Sequence, residues 1–354
     1  MPLLNRMIST PLAVEVRPGA VDALGPLLAD RRISSGGHVA VVVGPGLGEE
    51  IAAKLAGQLP DADVKQVDGG SVEAAMELAR ELRAGFYDAI VGIGGGRTLD
   101  TAKYASSLSG LPLVAVATSL AHDGIASPVS SLYEENGRKT SLGVQMPIAV
   151  VVDLDYVLRS APEMRRSGVG DTISNLSAIA DWRLAAAERG EEVDGVAVTF
   201  AQTAALAVLH RTDSIEDVEF LMVLADALIL SGLAMATAGS SRPCSGSDHE
   251  IVHAIDHLHP QLGPNHGELA GAGALFATWL RGDEQVATEI NACLVRHGLP
   301  RTPSDLGLTE EQFAAVVAEA PNTRPDRYTI LEHLDLSPEE IRGRVRAFLE
   351  AFDR

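Results

Sequence analysis

The chain has 354 residues, of which 46% are apolar and only 4% aromatic, and its formal net charge is −20. This length allows two domains with sizeable cores. Because the negative charge repels phosphate backbones, we expect no nucleic-acid binding, and an anionic substrate would need a locally positive site.

The first half of the chain alternates between apolar β-branched runs and helical patterns. Strands alternating with helices indicate a parallel sheet with crossover helices. The segment that begins at residue 128 differs, because two strand-like flanks surround Glu135-Asn136-Gly137 and predict a hairpin. We predict strands at 12–16, 38–43, 62–67, 88–93, 112–117 and 148–153, and helices such as 46–58 and 71–84.

The strand pattern stops near residue 160, and long helical patterns follow it. We therefore predict an α/β N-terminal nucleotide-binding domain at 1–160 and an all-α C-terminal domain at 161–354, with a ligand cleft between them. The main helices of the second domain are predicted at 168–188, 193–211, 216–238, 246–258 and 266–280.

Three features bear on the compartment of the protein. Cys244 and Cys293 cannot form a disulfide framework in a chain of this size and are typical of a reducing cytoplasm. The first residues lack a basic segment followed by a long apolar core, so we predict no signal peptide. The apolar stretch 220–239 is long enough to span a membrane, but no basic cluster flanks it, and we predict a buried helix.

Residues 88–103, DAIVGIGGGRTLDTAK, combine a strand, a glycine turn and a helix start. Gly94, Gly95 and Gly96 allow close approach of the backbone, and the helix start offers N–H groups to a pyrophosphate. The segment matches neither the G-x-G-x-x-G fingerprint nor a Walker A loop, so a purely structural turn is the alternative. The polar loop 117–128 follows the next strand, where open α/β sheets bind ligands, but it also fits an ordinary turn.

A second unusual segment, residues 245–268, contains five of the ten histidines. His249-Glu250-Ile251-Val252-His253 matches the zinc-protease pattern H-E-x-x-H, with His259 six residues on. The longer protease signature requires glycine where this chain has Asp256, and most proteases with that signature are secreted. These points argue against a protease.

A different zinc site would combine one carboxylate and two histidines from three separate helices, namely Asp171, His249 and His266. Three protein ligands and one open position are typical of catalytic zinc. The competing interpretation is that Asp171 caps a helix and the histidines lie on the surface. Spacing alone does not decide between these interpretations.

Five segments resemble the sn-glycerol-1-phosphate dehydrogenase family, which lies within the group of glycerol dehydrogenase, iron-containing alcohol dehydrogenases and dehydroquinate synthase. The group shares a triple-glycine turn followed by Asp and Lys, here Gly94–Gly96, Asp100 and Lys103. The narrower family is indicated by the motifs HDGIASP, GDTISNLSAIADW, AGSSRPCSGSDHEIVHAID, HGE and RYTILEHL. The resemblance covers most of the chain from about residue 40 and implies a dehydroquinate synthase-like fold. The five segments are 88–103, 117–128, 168–182, 238–256 and 264–273.

The resemblance also implies roles for individual residues. It implies a zinc ion on Asp171, His249 and His266, and substrate contacts from Asp123, Asp171 and His253. The iron-containing relatives carry a histidine four residues after the Asp, whereas this chain has Asn175, which favours zinc over iron. The resemblance assigns the nicotinamide cofactor to Gly95, Gly96, Arg97, Thr98, Leu99, Asp100, Thr118, Ser119 and Ser127.

The implied reaction is reversible reduction of dihydroxyacetone phosphate to sn-glycerol 1-phosphate with NADPH or NADH, with ether-lipid synthesis as the pathway the family indicates. We expect a cytoplasmic homo-oligomer, and we name Lys103, Arg242 and His253 as candidate phosphate ligands. Two hypotheses compete with this one: a polyol dehydrogenase or dehydroquinate-synthase-like cyclase of the same fold, and a non-catalytic dinucleotide-binding protein.

The predicted strand 38–43 runs into the loop Gly44–Gly48 without a carboxylate, and Glu49 and Glu50 should already lie on the next helix. An acid at this position usually binds the ribose 2′-OH and repels a 2′-phosphate. Because no Arg or Lys stands here either, we expect both cofactors to work, with NADP(H) preferred by roughly tenfold or less. Aspartate at Gly44 is expected to shift the preference toward NAD.

Overall fold

The computed structural model describes residues 10–352. The chain divides into two compact units, Met1–Ala161 and Pro162–Arg354. The first unit contains a six-stranded parallel sheet in the order β1-β8-β5-β4-β2-β3 and a separate antiparallel hairpin, β6-β7. Its strands are β1 (Ala13–Arg17), β2 (Val39–Val43), β3 (Asp63–Gln66), β4 (Ala89–Gly94), β5 (Leu113–Ala117), β6 (Val129–Tyr133), β7 (Lys139–Gly143) and β8 (Ala149–Asp153).

The sheet of the first unit is covered by helices on both faces, which is why its strands are apolar at consecutive positions. Val41 and Val43 pack with Ile51 and Leu55 on one face, while Val42 packs with Leu78 and Leu82 on the other. The helices of this unit are α1 (Leu24–Leu28), α2 (Leu47–Leu55), α3 (Val72–Ala84), α4 (Gly96–Ser109) and α5 (Leu154–Arg159).

The strand order reverses between β2 and β4. From β2 the chain moves outward to β3, and it then crosses back to place β4 on the other side of β2. Crevices beyond the carboxyl ends of strands at such a reversal are where open α/β sheets bind ligands. The loop after β2 and the glycine turn after β4 both lie at this position.

The second unit is helical, and the described residues after Asp153 contain no strand. Its long helix α6 packs against α7, α9 and α10. Its helices are α6 (Pro162–Arg189), α7 (Gly195–Leu209), α8 (Val218–Ala238), α9 (Ser247–Leu258), α10 (His266–Arg281), α11 (Glu284–His297), α12 (Glu310–Thr323), α13 (Ile330–Leu334) and α14 (Pro338–Phe352). The predicted fold class, α/β followed by all-α, is confirmed.

Helix α8 corresponds to the apolar stretch predicted as a buried helix. It is long and apolar enough to cross a membrane, but 67% of its most apolar window is buried inside the protein. It packs against α7 and α6. An apolar helix that is buried in this way is typical of the core of a domain.

Candidate functional site

The glycine turn after β4 lies against the loop after β2 within the first unit. A Cβ atom on Gly44 would lie 2.1 Å from Oγ1 of Thr98, and one on Gly94 would lie 2.7 Å from Cβ of Thr98. Only glycine fits at such separations, so these two glycines bring both strand ends against the first turn of α4. The Oγ atom of Ser119 lies 3.3 Å from the Cβ position of Gly95. A hydroxyl from the loop after β5 therefore adjoins the same turn.

The residues assigned to the cofactor by resemblance differ in how exposed they are at this turn. Gly95 and Gly96 are partly exposed, and Arg97 is exposed. The side chain of Leu99 is fully buried, and its amide donates to the carbonyl of Gly95. Neither the side chain nor the amide is therefore available to a ligand. The other residues assigned to the cofactor are buried polar residues, namely Thr98, Asp100, Thr118, Ser119 and Ser127.

Lys103 is not available to a substrate phosphate. Its side chain is fully buried, and its ammonium lies 2.9 Å from Oδ1 of Asp100. The same ammonium donates to the carbonyl oxygens of Ser127 and Val129. These contacts tie α4 to the start of β6, so Lys103 stabilises the loop structure, and the sequence-based phosphate assignment is corrected here.

The loop after β5 contributes one residue that sequence reasoning did not assign, His122. A Cβ atom on Gly96 would lie 2.3 Å from Nε2 of His122, so the imidazole covers the first residue of α4. Its Nδ1 accepts a hydrogen bond from the amide of Gly124 at 3.0 Å. The next residue, Asp123, begins the short 3-10 helix Asp123–Ile125, and its carbonyl accepts from the amide of Ser127.

In the second unit, three possible metal ligands converge. Ligand atoms of Asp171, His249 and His266 all lie within 4.8 Å of one another, and Oδ1 of Asp171 lies 3.9 Å from Nε2 of His266. Tetrahedral zinc with bonds of about 2.0–2.2 Å holds its ligand atoms about 3.5 Å apart, so side-chain rotations that move these atoms by about an ångström bring the three into range. Asp171 lies inside α6, and Asp171 and His249 are buried, so the alternative of a helix cap and a surface histidine is wrong for these two residues; His266 is partly exposed.

Close packing of α6 against α10 brings Asp171 beside His266. A Cβ atom on Gly267 would lie 2.0 Å from the carbonyl oxygen of Ser167 and 2.9 Å from Cβ of Asp171. A Cβ atom on Gly170 would likewise lie 2.2 Å from the carbonyl oxygen of Gly267. The two helices approach here because neither carries a side chain at the contact.

Helix α9 joins the other two helices by the same means. A Cβ atom on Gly246 would lie 2.5 Å from Oδ2 of Asp181 on α6, and one on Gly273 would lie 2.8 Å from the carbonyl oxygen of Asp248. The buried Asp181 also accepts from the Ser247 amide and hydroxyl. These contacts fix the first turn of α9, from which His249 projects.

The carboxylate of Asp248 binds Nδ1 of His249. Asp248 is fully buried and also accepts from the amide of Gly246 at 3.3 Å. A carboxylate on one ring nitrogen of a histidine orients the ring and leaves the other nitrogen for a metal. Nε2 of His249 is therefore the atom available to the cluster. Sequence reasoning did not single out Asp248, although it directly precedes the histidine.

The second histidine and the glutamate of the H-E-x-x-H pattern have other partners. Glu250 is fully buried and accepts from Oγ1 of Thr329 at 3.0 Å. Burial, together with Glu332 and Asp181, raises the pKa of its carboxyl to about 9. His253 lies with Nε2 2.7 Å from Nη2 of Arg324. Because Glu250 packs into the protein, it is not placed to activate water as a protease base would be.

Two further residues of the second unit are engaged with protein groups. Asn175 is buried and donates to the carbonyl of Ala201 at 3.2 Å and to Oγ of Ser231 at 2.9 Å, so its amide ties α6 to α7 and α8. Arg242 pairs through its guanidinium with Glu191 and donates to the carbonyl of Tyr328. Arg242 is therefore satisfied by protein partners, which corrects its assignment as a candidate phosphate ligand.

Comparison with known proteins identifies the family. Residues 15–162 match the family described as iron-containing alcohol dehydrogenase. A glycerol-1-phosphate dehydrogenase (NAD(P)+) of Thermofilum pendens is 41% identical over 276 residues, covering 77% of this chain and 78% of that protein. The chain belongs to the glycerol-1-phosphate dehydrogenase family. The enzyme of that name from Methanosarcina barkeri is 33% identical over 335 residues, covering 92% of each chain.

Solved structures carry the same fold as this member of the glycerol-1-phosphate dehydrogenase family. A probable glycerol dehydrogenase from Sinorhizobium meliloti 1021 superimposes with a TM-score of 0.78 at 21% identity, covering 97% of this chain and 98% of the other. An iron-containing alcohol dehydrogenase gives a TM-score of 0.73 at 16% identity. The family resemblance and the dehydroquinate synthase-like fold class stated from the sequence are thereby confirmed.

The loop after β2 is predicted from the sequence to influence cofactor choice. Glu49 and Glu50 lie on α2, as expected. An aspartate at Gly44 is not the simple charge substitution expected from the sequence, because its Cβ would lie 2.1 Å from Oγ1 of Thr98 and would displace the glycine turn. Pro45 is exposed and adjacent, so it is the better position for introducing a charge.

Proposed function

We propose that the protein catalyses the reversible, zinc-assisted reduction of dihydroxyacetone phosphate to sn-glycerol 1-phosphate with NADP(H) or NAD(H). The observation that carries this proposal is the Asp171, His249 and His266 cluster in a member of the glycerol-1-phosphate dehydrogenase family. One carboxylate and two imidazoles are suitable zinc ligands and leave an open position for a substrate.

Asp171, His249 and His266 would hold the metal, with Asp248 fixing the ring of His249. When bound, zinc supplies a Lewis acid that polarises a carbonyl oxygen and stabilises developing negative charge. His253 and Asp123 are assigned to hold the substrate, as the family resemblance implies. The buried position of Asp171 limits its hydration and favours its role as a ligand over that of a solvated surface carboxylate.

The first unit would bind the nicotinamide cofactor, which supplies the hydride. Gly94, Gly95 and Gly96 let the backbone at the start of α4 approach a pyrophosphate, and the helix N-terminus favours its negative charge. The hydroxyl of Ser119 adjoins this turn. The position of the turn at the reversal of strand order supports the assignment. We further propose that the enzyme is cytoplasmic, and its homo-oligomeric state stays a prediction.

The test is an absorbance assay with NADPH and NADH against dihydroxyacetone phosphate, dihydroxyacetone and other ketones, with the chirality of the product determined. We expect dihydroxyacetone phosphate to give a kcat/KM far above that of dihydroxyacetone, because phosphate binding energy assists the reacting centre. Equal values for the two ketones would support a polyol dehydrogenase instead. No oxidation of either cofactor with any ketone would support a non-catalytic binding protein or a cyclase.

A further inference from the structure

Arg324, the residue directly after the end of α12, lies against the second histidine of α9. Its Nη1 donates to Oγ of Ser245 at 2.7 Å, and its Nη2 lies 2.7 Å from Nε2 of His253. No carboxylate among residues 10–352 forms an ion pair with this guanidinium. A guanidinium carries five N–H donors, and these contacts use two of them, so three remain for another acceptor.

Two more guanidiniums, those of Arg242 and Arg327, surround Arg324. Burial is the main factor that lowers the pKa of Arg324; the positive charge of Arg242 adds to it, while the carboxylates of Glu250, Asp248 and Asp326 act in the opposite direction. Arg242 is balanced by Glu191, whereas Arg327 donates to Oγ of Ser241 at 2.6 Å and to the carbonyl of Ser245. Glu250, Asp248 and Asp326 attract Arg324 from farther away, but none of them forms an ion pair with it among the described residues. An anionic substrate requires a positive group that is not already engaged in an ion pair, and Arg324 meets this requirement.

The position of this charge relative to the metal ligands follows from helix geometry. His249 and His253 are four residues apart on α9, so they lie on one face, about 6 Å apart along the axis. Arg324 contacts the second of these residues, and the first is a member of the three-ligand cluster. A small ligand that reaches from the cluster past His253 therefore meets a guanidinium.

We propose that Arg324 binds the phosphate group of the substrate and thereby sets the preference for a phosphorylated ketone. This inference rests on the proposed function. A planar guanidinium binds two phosphate oxygens at once, which an ammonium does not do with the same geometry. Lys103 and Arg242 have protein partners instead. His253 holds one edge of the Arg324 fork in place and leaves other N–H groups to the ligand.

The experiment compares Arg324→Gln and Arg324→Lys with the wild-type holoenzyme and with the control Arg301→Gln. Arg301 is a matched control because its Nη1 also donates to neutral acceptors, Oδ1 of Asn291 and the carbonyl of Phe352, both at 3.3 Å. The readout is the ratio of kcat/KM for dihydroxyacetone phosphate to kcat/KM for dihydroxyacetone. Competitive inhibition by inorganic phosphate, zinc content and melting temperature are measured on the same samples.

We expect Arg324→Gln to lower this ratio on the order of 100-fold, mainly through a higher KM for the phosphorylated ketone. Inhibition by inorganic phosphate should weaken in parallel, while zinc content stays at the wild-type level. Arg324→Lys should give an intermediate ratio because it keeps the charge but loses the two-point geometry. Arg301→Gln should keep the wild-type ratio.

A wild-type ratio and wild-type phosphate inhibition in Arg324→Gln would overturn the assignment of Arg324 and leave the proposed function standing. A wild-type enzyme that does not favour the phosphorylated ketone would instead overturn the proposed function itself. If Arg324→Gln loses its folded structure, the Arg324→Lys variant tests the assignment in its place. An unchanged ratio and unchanged phosphate inhibition in that variant would also overturn the two-point contact.

Discussion

The carboxylate of Asp248 binds Nδ1 of His249, so this histidine presents Nε2 to Asp171 and His266. Such outer partners of metal-binding histidines contribute roughly 10- to 100-fold to metal affinity. We expect Asp248→Asn to weaken zinc binding by about this factor, because a neutral amide still accepts from Gly246 but makes the imidazole of His249 a less basic ligand than a carboxylate does. Titration with a competing chelator measures the effect, and excess zinc should restore activity. Unchanged zinc affinity would show that Asp248 serves only to pack α9.

His266 and His253 provide opposite tests of the metal assignment. His266→Ala removes one of three converging ligands, so we expect loss of most bound metal and nearly all activity in a folded protein. His253→Ala should keep its metal and lose substrate affinity, because His253 contacts Arg324 instead. Elemental analysis of both variants decides. A full zinc complement in His266→Ala, or metal loss in His253→Ala, would contradict the assignment.

Gly267 is expected to be sensitive to the smallest substitution. In Gly267→Ala the added methyl would lie 2.0 Å from the carbonyl oxygen of Ser167, which is backbone and cannot rotate away. We expect α10 to shift from α6, with a loss of about 1–3 kcal/mol in the free energy of unfolding and weaker metal binding. Gly263→Ala is the control, because nothing lies within 4 Å of that Cβ position. Denaturant unfolding and zinc titration measure the two effects. An unchanged free energy of unfolding and unchanged zinc affinity would show that α10 can move away from α6 at no cost.

Cofactor preference is tested at Pro45, the exposed residue next to Gly44. The wild type should use both cofactors, with NADP(H) preferred by roughly tenfold or less. Pro45→Asp should lower kcat/KM for NADPH more than for NADH, because a carboxylate repels the 2′-phosphate. Pro45→Asn controls for the change in loop shape without the charge. Strict NAD dependence of the wild type would mean that a carboxylate elsewhere reaches the ribose.

His297 gives a prediction for acid stability. It is buried on α11, its ring centroid is 5.1 Å from that of Phe220, and burial lowers its pKa below the ordinary value of 6.5. Because the unfolded chain then binds more protons, stability is fully present above pH 6.5 and falls as pH drops through the lower native pKa. The slope is at most about 1.4 kcal/mol per pH unit for this group.

His297→Gln cannot titrate and should show a flatter loss of stability as the pH falls below 6.5. Its Nε2 has no hydrogen-bond partner among the described residues, so the substitution breaks no hydrogen bond at that atom. His210→Gln, the same substitution at an exposed position directly after α7, controls for the change of side chain. Melting curves at several pH values decide, and parallel curves for wild type and His297→Gln would contradict the prediction.

Strands and helices were predictable to within a few residues because local hydrophobic periodicity determines them. The apolar run at 38–43 became β2, and the pattern at 246–258 became α9. The hairpin around Glu135-Asn136-Gly137 also formed. The helix of Asp171 began at Pro162, six residues earlier than expected, because a proline is accepted in the first turn of a helix.

The candidate site was only partly predictable from the sequence. Spacing alone allowed both a protease site with His249 and His253 and a site with Asp171, and resemblance favoured the second. Lys103 and Arg242 looked equally suited to a phosphate, because the sequence does not show which charges are already paired. Arg324 carried no local signal, since its partner His253 is 71 residues away.

By itself, the sequence determined the α/β-then-helical order of elements, the glycine turn and the family resemblance, since each depends on residues close together in the chain. The tertiary structure decided which side chains meet. Asp171, His249 and His266 converge because glycines at the contacts of α6, α9 and α10 let backbones approach without side chains between them. Lys103 and Arg242 are not available to a substrate phosphate, because a buried charge must be paired with other protein groups. Those groups lie elsewhere in the fold and are not evident from the sequence.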